Sequence, residues 1–177
     1  NEIASISKSF GAQVPFLRPS NISDDFSTTG DVMRHAISWL EKKKKFPDVV
    51  CCIYPTAPLL LKTDLIKAYN EFKSNKWSYV FSATRFSFPI QRAFKKLESK
   101  GIQMFQSEHY SSRSQDIEIA YHDAGQFYFG KKESLLKKEM IFDINSEIIV
   151  LPNSRAQDID NLEDWKEAEI KFNLLSK

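Results

Sequence analysis

The run DVVCCIYPTAPLL, residues 48–60, is apolar without alternation and ends in a proline-stiffened loop. A strand with one wet face reads apolar and polar by turns, whereas an unbroken apolar run of this length reads as a strand buried on both faces. Burying both faces requires a layer of structure on each side. Helical patterns flank the run: Val32, Ala36, Ile37 and Leu40 share one face of a helix from about Asp31 to Lys45, and Leu65, Ile66, Ala68, Tyr69 and Phe72 mark another. Apolar strands are predicted again at 79–83 and 147–151, the last leading into a helix from about Asn161. Strand–helix alternation of this kind predicts a single α/β domain over 1–177, with a mainly parallel sheet covered on both sides.

Shorter elements complete the pattern. A helix is expected over 1–10, with Asn1 as its cap, followed by a strand at 14–17. Residues 93–106 read as a hairpin turning at Lys100-Gly101, and a short helix is expected near 131–137. Lys42–Lys45 is a cationic run where the helix dipole favours cations, and it reads as a solvated helix end. The 14 phenylalanines and 42% apolar residues supply an aromatic core. With 25 basic and 23 acidic residues the net charge is only +2, which gives no reason to expect nucleic acid or an anionic membrane as partner. The apolar runs are strand-sized, too short for a membrane-spanning helix. Cys51 and Cys52 are adjacent, so in a strand they point to opposite faces; they read as buried thiols rather than a disulfide or metal pair, in a reducing cytoplasm.

In open α/β sheets, ligands bind outside the carboxyl ends of the strands. Three polar clusters fall at such ends. The loop RPSNISDDFSTTGD, 18–31, offers Arg18, the hydroxyls of Ser27 and Thr28, and a helix N-terminus, a set that suits a sugar or phosphate or equally a turn-rich cap. Pro55 and Thr56, in YPTAP, either floor a site for a flat base or form an ordinary turn. Asp158 and Asp160 flank Ile159, so an extended segment would point both carboxylates to one face. Two converging anions need a compensating cation or a shared proton, and few oxygen ligands with water and phosphate suit Mg²⁺; the alternative is one helix cap and one solvated carboxylate. Residues 113–128 add Arg113, able to grip a carboxylate, and His122 and Asp123, able to hold hydroxyls or an amide, unless the histidine is a structural hydrogen-bonder. No Ser-His-Asp or Cys-His pattern, Walker loop or zinc spacing is visible.

Taken in order, LRPSNISDDFSTTGDVMRHAI, IYPTAPLL, RSQDIEIAYHDAGQFYFG and QDIDNLEDW resemble the CMP-sialic acid synthetase family over essentially the whole chain. The segment AYHDAGQFYFG is most similar to the bacterial pseudaminic acid cytidylyltransferases. The resemblance implies a Rossmann-like three-layer nucleotidyltransferase fold that joins CTP to a nonulosonic acid, giving the CMP-sugar and pyrophosphate. It implies Mg²⁺ on Asp158 and Asp160 as the catalytic pair, and nucleotide contacts from Arg18, Ser27, Thr28, Pro55 and Thr56. Tyr54 stands where the family usually has glutamine. Arg113 and Gln115 match the segment that approaches the sugar acid, and His122, Asp123, Gln126 and Tyr128 the segment that discriminates among sugars. A homodimer through the hairpin excursion is also implied. The family pattern opens with a strand and a loop R-x-G-S-K-R-x-P-x-K-N that cradles phosphates; residue 1 lies in the helix that follows, so the expectation is a chain lacking that grip. The competing expectations are a catalytically idle nucleotide- or sugar-binding relative, an enzyme for legionaminic or N-acetylneuraminic acid, and a sugar-1-phosphate or Kdo nucleotidyltransferase.

Overall fold

The computed structural model describes residues 2–24, 26–74 and 76–175. Its helices are α1 (Glu2–Ser9), α2 (Thr29–Lys42), α3 (Lys62–Phe72), α4 (Lys132–Leu136) and α5 (Leu162–Leu175). Its strands are β1 (Val49–Ile53), β2 (Tyr79–Arg85), β3 (Phe94–Lys96), β4 (Ile102–Met104), β5 (Tyr121–Lys131) and β6 (Ser146–Leu151). The predicted cap Asn1 lies outside the described residues. Two compact units emerge. One holds the chain up to Asp48 together with Lys132–Glu139; the other holds Val49–Lys131 and the chain from Met140 onward.

In the second unit four strands pair in the order β1-β5-β2-β6. Strand β2 is buried at its first six positions, because it lies between two partners and carries core on both faces. Val80 joins Ala68 and Phe72 of α3 and Phe127 and Phe129 of β5 on one face. Phe81 and Ala83 pack with Tyr128 on the other, against Cys52 and Ile148. The alternation of period two sends neighbouring residues to opposite layers, and here both layers are apolar.

Two expectations are corrected. The sheet is mixed, not mainly parallel: β5 runs antiparallel to both β1 and β2, and only β2 and β6 form a parallel pair. Strands β1, β2 and β6 therefore share one direction, and the inverted β5 sits between two of them. Strand β1 is not buried on both faces either. It lies at the sheet edge, where Val49 is 37% and Ile53 49% exposed and Cys51 is exposed, with Cys52 partly covered. Both thiols are free.

The pairing of β2 with β5 slips. Phe81 faces Tyr128 and Ala83 faces Asp123, so two steps along β2 match five along β5. Such a bulge bends the strand and leaves backbone groups unpaired. Gly125, at φ +61°, takes the left-handed turn that a side chain resists. Ser82, which is wholly buried, accepts hydrogen bonds from the backbone N–H groups of Gln126 and Phe127, both at 3.2 Å. One hydroxyl thus replaces the lost ladder bonds. A separate ribbon, β3 against β4, pairs Phe94 with Met104 and Lys96 with Ile102, and Lys100 and Gly101 both take positive φ in its turn, as their position predicts.

In the first unit Thr28 caps α2. Its hydroxyl lies 2.6 Å from Asp31 Oδ2 and 3.2 Å from the Asp31 N–H, and Arg34 pairs with Asp31 at 2.6 Å. The Thr28 hydroxyl and then the Arg34 guanidinium hold the Asp31 carboxyl down at about 2. Phe16 packs beside His35 and Trp39 of α2, with ring centroids 5.0 and 5.1 Å away. The strand expected at 14–17 is absent: the segment finds no ladder partner among the described residues and remains irregular.

Replacing Ser82 by alanine leaves two buried N–H groups at the bulge without an acceptor, at a cost of about 1–3 kcal/mol. Urea unfolding should show a lowered midpoint at an unchanged slope. An unchanged midpoint would mean that the bulge is satisfied some other way.

Candidate active site

His122 and Asp123, on β5 just before its bulge, meet the segment that follows β6. Together with Thr84, Ser87, Asn153, Gln157, Asp158 and Lys171 they line a cleft of about 300 Å³. It lies at the carboxyl ends of β2 and β6 and at the start of β5, where an open sheet places its ligands.

Each wall is fixed by its own bonds. Asp123 Oδ1 accepts the Gly125 N–H at 2.9 Å, and its other oxygen accepts the Tyr128 hydroxyl in a close contact. Burial, and then the Asp123 carboxylate, push the Tyr128 phenol well above its ordinary range, so it stays a donor. Thr84 Oγ1 lies 2.9 Å from the Leu151 carbonyl and 2.7 Å from Asn153 Oδ1, and Asn153 donates to Ser87 Oγ at 2.8 Å. Lys171 of α5 donates to the Ala156 carbonyl at 2.9 Å and to Gln157 Oε1 at 2.5 Å. His122 Nδ1 is 2.9 Å from the Asp123 carbonyl. A carbonyl only accepts, so Nδ1 carries the hydrogen. The ring rests on Phe86, with centroids 4.6 Å apart.

The segment bearing Asp158 is tied down from two directions. Arg155 forms a bidentate pair with Asp64 of α3, through a close Nη1–Oδ2 contact and Nη2–Oδ1 at 3.2 Å. Asp64 is 2% exposed and also accepts the Leu61 N–H at 3.2 Å. The Arg155 carbonyl in turn accepts the side-chain amide of Gln126, from the bulge. Three residues on, Asp158 Oδ1 lies 3.8 Å from where a side chain at Gly125 would begin, and it accepts the Ile159 N–H at 3.1 Å.

No protein-family model matches the chain. Individual proteins do. The pseudaminic acid cytidylyltransferase of Campylobacter jejuni is 43% identical over 171 residues, 97% of this chain and 74% of that protein. This chain belongs to the pseudaminic acid cytidylyltransferase family. A Helicobacter pylori protein named pseudaminic acid cytidylyltransferase and UDP-2,4-diacetamido-2,4,6-trideoxy-beta-L-altropyranose hydrolase is 33% identical over 99% of this chain and 34% of its own length. N-acylneuraminate cytidylyltransferase A of Danio rerio is 27% identical over 95% of this chain and 38% of its own length.

For this cytidylyltransferase relative, the residues singled out in the sequence fall into distinct places. His122, Asp123 and Asp158 meet in one cleft. Asp160 does not line it; it lies exposed in the bend that leads into α5. Pro55 and Thr56 meet Ile159 instead, in a second cleft of about 370 Å³ walled by Trp165 and Phe172 of α5. Gln126, 1% exposed, and Tyr128 are buried and act on Arg155 and Asp123 rather than facing the cleft. Arg113 and Gln115 sit exposed around a short turn, with Arg113 Nε donating to Asp116 at 2.7 Å. In the first unit Arg18 is exposed, the Ser27 hydroxyl donates to Asp24 at 2.7 Å, and Thr28 serves the α2 cap.

Carboxylate oxygens are the donors a hard divalent cation takes. Among the described residues no group of three or more His, Cys, Asp or Glu could hold a metal. A cation at Asp158 would therefore complete its shell with water and phosphate, the habit of Mg²⁺. The donor type fits that ion.

Sequence reading missed Asp64, Arg155, Ser82 and Lys171. Arg155 opens the RAQDID stretch, but its partner is 91 residues away, and only the fold reveals it. Arg155→Met should destabilise the protein by about 3–5 kcal/mol, because it strands a buried carboxylate. The double variant Asp64→Leu/Arg155→Met should recover most of that loss in thermal or urea unfolding. A single variant as stable as the parent would show that the pair is solvated.

Proposed function

We propose that the chain is a cytidylyltransferase that activates pseudaminic acid with CTP, releasing pyrophosphate. The observation that carries this reading is a cleft of carboxylate, imidazole and ammonium groups at the strand ends, in a chain 43% identical over 97% of its length to a protein named for that reaction. A hydroxyl of the sugar acid forms a bond to the α-phosphorus of CTP as the bond to pyrophosphate breaks. Positioning and electrostatics dominate such transfers. Asp158 would hold Mg²⁺, with Asp160 the second candidate ligand from the bend before α5, and the ion would supply positive charge to the phosphates. Arg113 exchanges Asp116 for the sugar carboxylate. Gln115 accompanies it, and Arg18, Ser27, Thr28, Pro55 and Thr56 serve the nucleotide. Tyr128 and Gln126 act through Asp123 and Arg155.

The 27% identity to an N-acylneuraminate cytidylyltransferase makes the sugar the point to test. Pyrophosphate release by the full-length protein should be fastest with CTP and pseudaminic acid, ahead of legionaminic and N-acetylneuraminic acids. Absence of release with all three would overturn the enzyme reading. Asp158→Asn should lower kcat about a hundredfold or more, equivalent to about 2.7 kcal/mol of transition-state stabilisation. Turnover near that of the parent would remove Asp158 from the reacting centre.

The acting form is a homodimer. The β3–β4 ribbon and residues 140–144 expose Phe94, Ile102, Phe105, Met140 and Phe142, and Phe105 alone is 66% exposed. A two-fold pairing covers such a patch with a copy of itself. Light scattering at micromolar concentration should give twice the chain mass, and Phe105→Asp should halve it while leaving the circular dichroism spectrum unchanged. A monomer mass for the parent protein would overturn the dimer.

A further inference from the structure

The geometry points to His122 as the catalytic base, its Nε2 accepting the proton of the attacking sugar hydroxyl. This rests on the nucleotidyltransfer reading and deepens it. Six side chains on the cleft carry an ionisable group or a hydroxyl, Thr84, Ser87, His122, Asp123, Asp158 and Lys171, and five are already engaged. Ser87 accepts the Asn153 amide at 2.8 Å, and Asp158 accepts the Ile159 N–H at 3.1 Å and is the carboxylate given to the cation. Asp123 uses both oxygens, one on the Gly125 N–H and one on the Tyr128 hydroxyl. Lys171 donates to Ala156 and Gln157, and an ammonium accepts nothing. Thr84 is held between Leu151 and Asn153. His122 remains. Its Nδ1–H is donated to the Asp123 carbonyl at 2.9 Å, which fixes the tautomer and leaves the lone pair on Nε2. Phe86 supports the ring at 4.6 Å, so a histidine on the rim of the cleft is held in one attitude rather than left to rotate. A base oriented by a second group through its other nitrogen is how imidazoles are set up to abstract protons.

The step balances. As the hydroxyl oxygen bonds to the α-phosphorus, its proton passes to Nε2 and the pyrophosphate oxygen leaves with the electron pair of the broken P–O bond. The imidazolium then returns its proton to solvent. Charged groups on the same cleft come from two other elements, Asp158 after β6 and Lys171 on α5, with Asp123 on its own strand. Of these side-chain types, imidazole is the one that ordinarily changes charge between about pH 5 and 8.

The test uses full-length protein, CTP and pseudaminic acid, with kcat and KM followed across that pH range. His122→Asn keeps an amide N–H to serve the Asp123 carbonyl but has no base. It should lose about a hundredfold or more in kcat with KM for the sugar little changed, and the fall in parent rate toward acid should vanish. His122→Ala should regain activity when free imidazole is added. A merely structural histidine would give neither the lost acid limb nor the imidazole rescue. If the parent is active while His122→Asn keeps its kcat and pH profile, the assignment is overturned. If the parent releases no pyrophosphate, the enzyme reading fails first, and that outcome is read before any variant.

Discussion

The buried pair between Asp64 and Arg155 is the constraint on which the site depends. It joins the start of α3 to the segment after β6, and the same residue 155 offers its carbonyl to Gln126 in the β5 bulge. Three elements distant in sequence therefore meet at one backbone position, three residues before Asp158. A buried ion pair is weak evidence of net stability, since desolvation offsets most of the attraction. Its value here is geometric. An apolar replacement could fill the same space, but it would not demand one approach of the loop to the helix.

The bulge does the complementary work from the other side of the cleft. His122 and Asp123 stay paired with Thr84 and Ala83 of β2, and the ladder slips just after them. The slip of five residues against two places the excess chain between Asp123 and Tyr128, and the positive φ of Gly125 gives that excess the bend it needs. Ser82 makes the arrangement affordable in hydrogen-bond terms, because the two N–H groups cut off from the ladder both find its oxygen. Function at this site thus starts as a local defect in a sheet, stabilised by one hydroxyl.

The helices, the β3–β4 hairpin, and strands β2 and β6 were legible in the sequence because each carries its own periodicity or turn residues, whereas β5 was not assigned as a strand at all. What failed were statements about neighbours. The apolar run at 48–53 looked buried on both faces, yet a strand's exposure depends on its place in the sheet, and β1 took the edge. Parallel order was inferred from strand–helix alternation, but β5 follows the hairpin and the polar stretch rather than a helix crossover, so nothing obliged it to run parallel. Residues 14–17 had strand composition and no partner. At the site, His122, Asp123 and Asp158 were legible as polar groups at strand ends, while Gln126 and Tyr128 were named for a ligand and turned out to brace the residues that face it. Burial is decided by the bulge, which no local pattern announces.

The D-x-D stretch shows how one extended segment can serve two surfaces. Side chains alternate, so Asp158 lines the polar cleft with His122 while Ile159 turns into the apolar one, beside Pro55, Thr56 and Trp165. An isoleucine between the carboxylates is then more than a spacer: its burial against α5 and the proline loop fixes the twist of the segment, and with it the direction of Asp158. Asp160 continues into the bend before α5, where its N–H and that of Asn161 are held by Asp164 at 3.0 and 3.1 Å. Asn161 Oδ1 caps α5 by accepting the N–H groups of Glu163 and Asp164 at 2.8 and 3.1 Å, so the cap that one of the two aspartates was a candidate to supply comes from Asn161 instead. Asp158, on a segment clamped at Arg155 and packed at Ile159, therefore owes its direction to that packing and to the Ile159 N–H it accepts at 3.1 Å, not to the neighbouring Asp160.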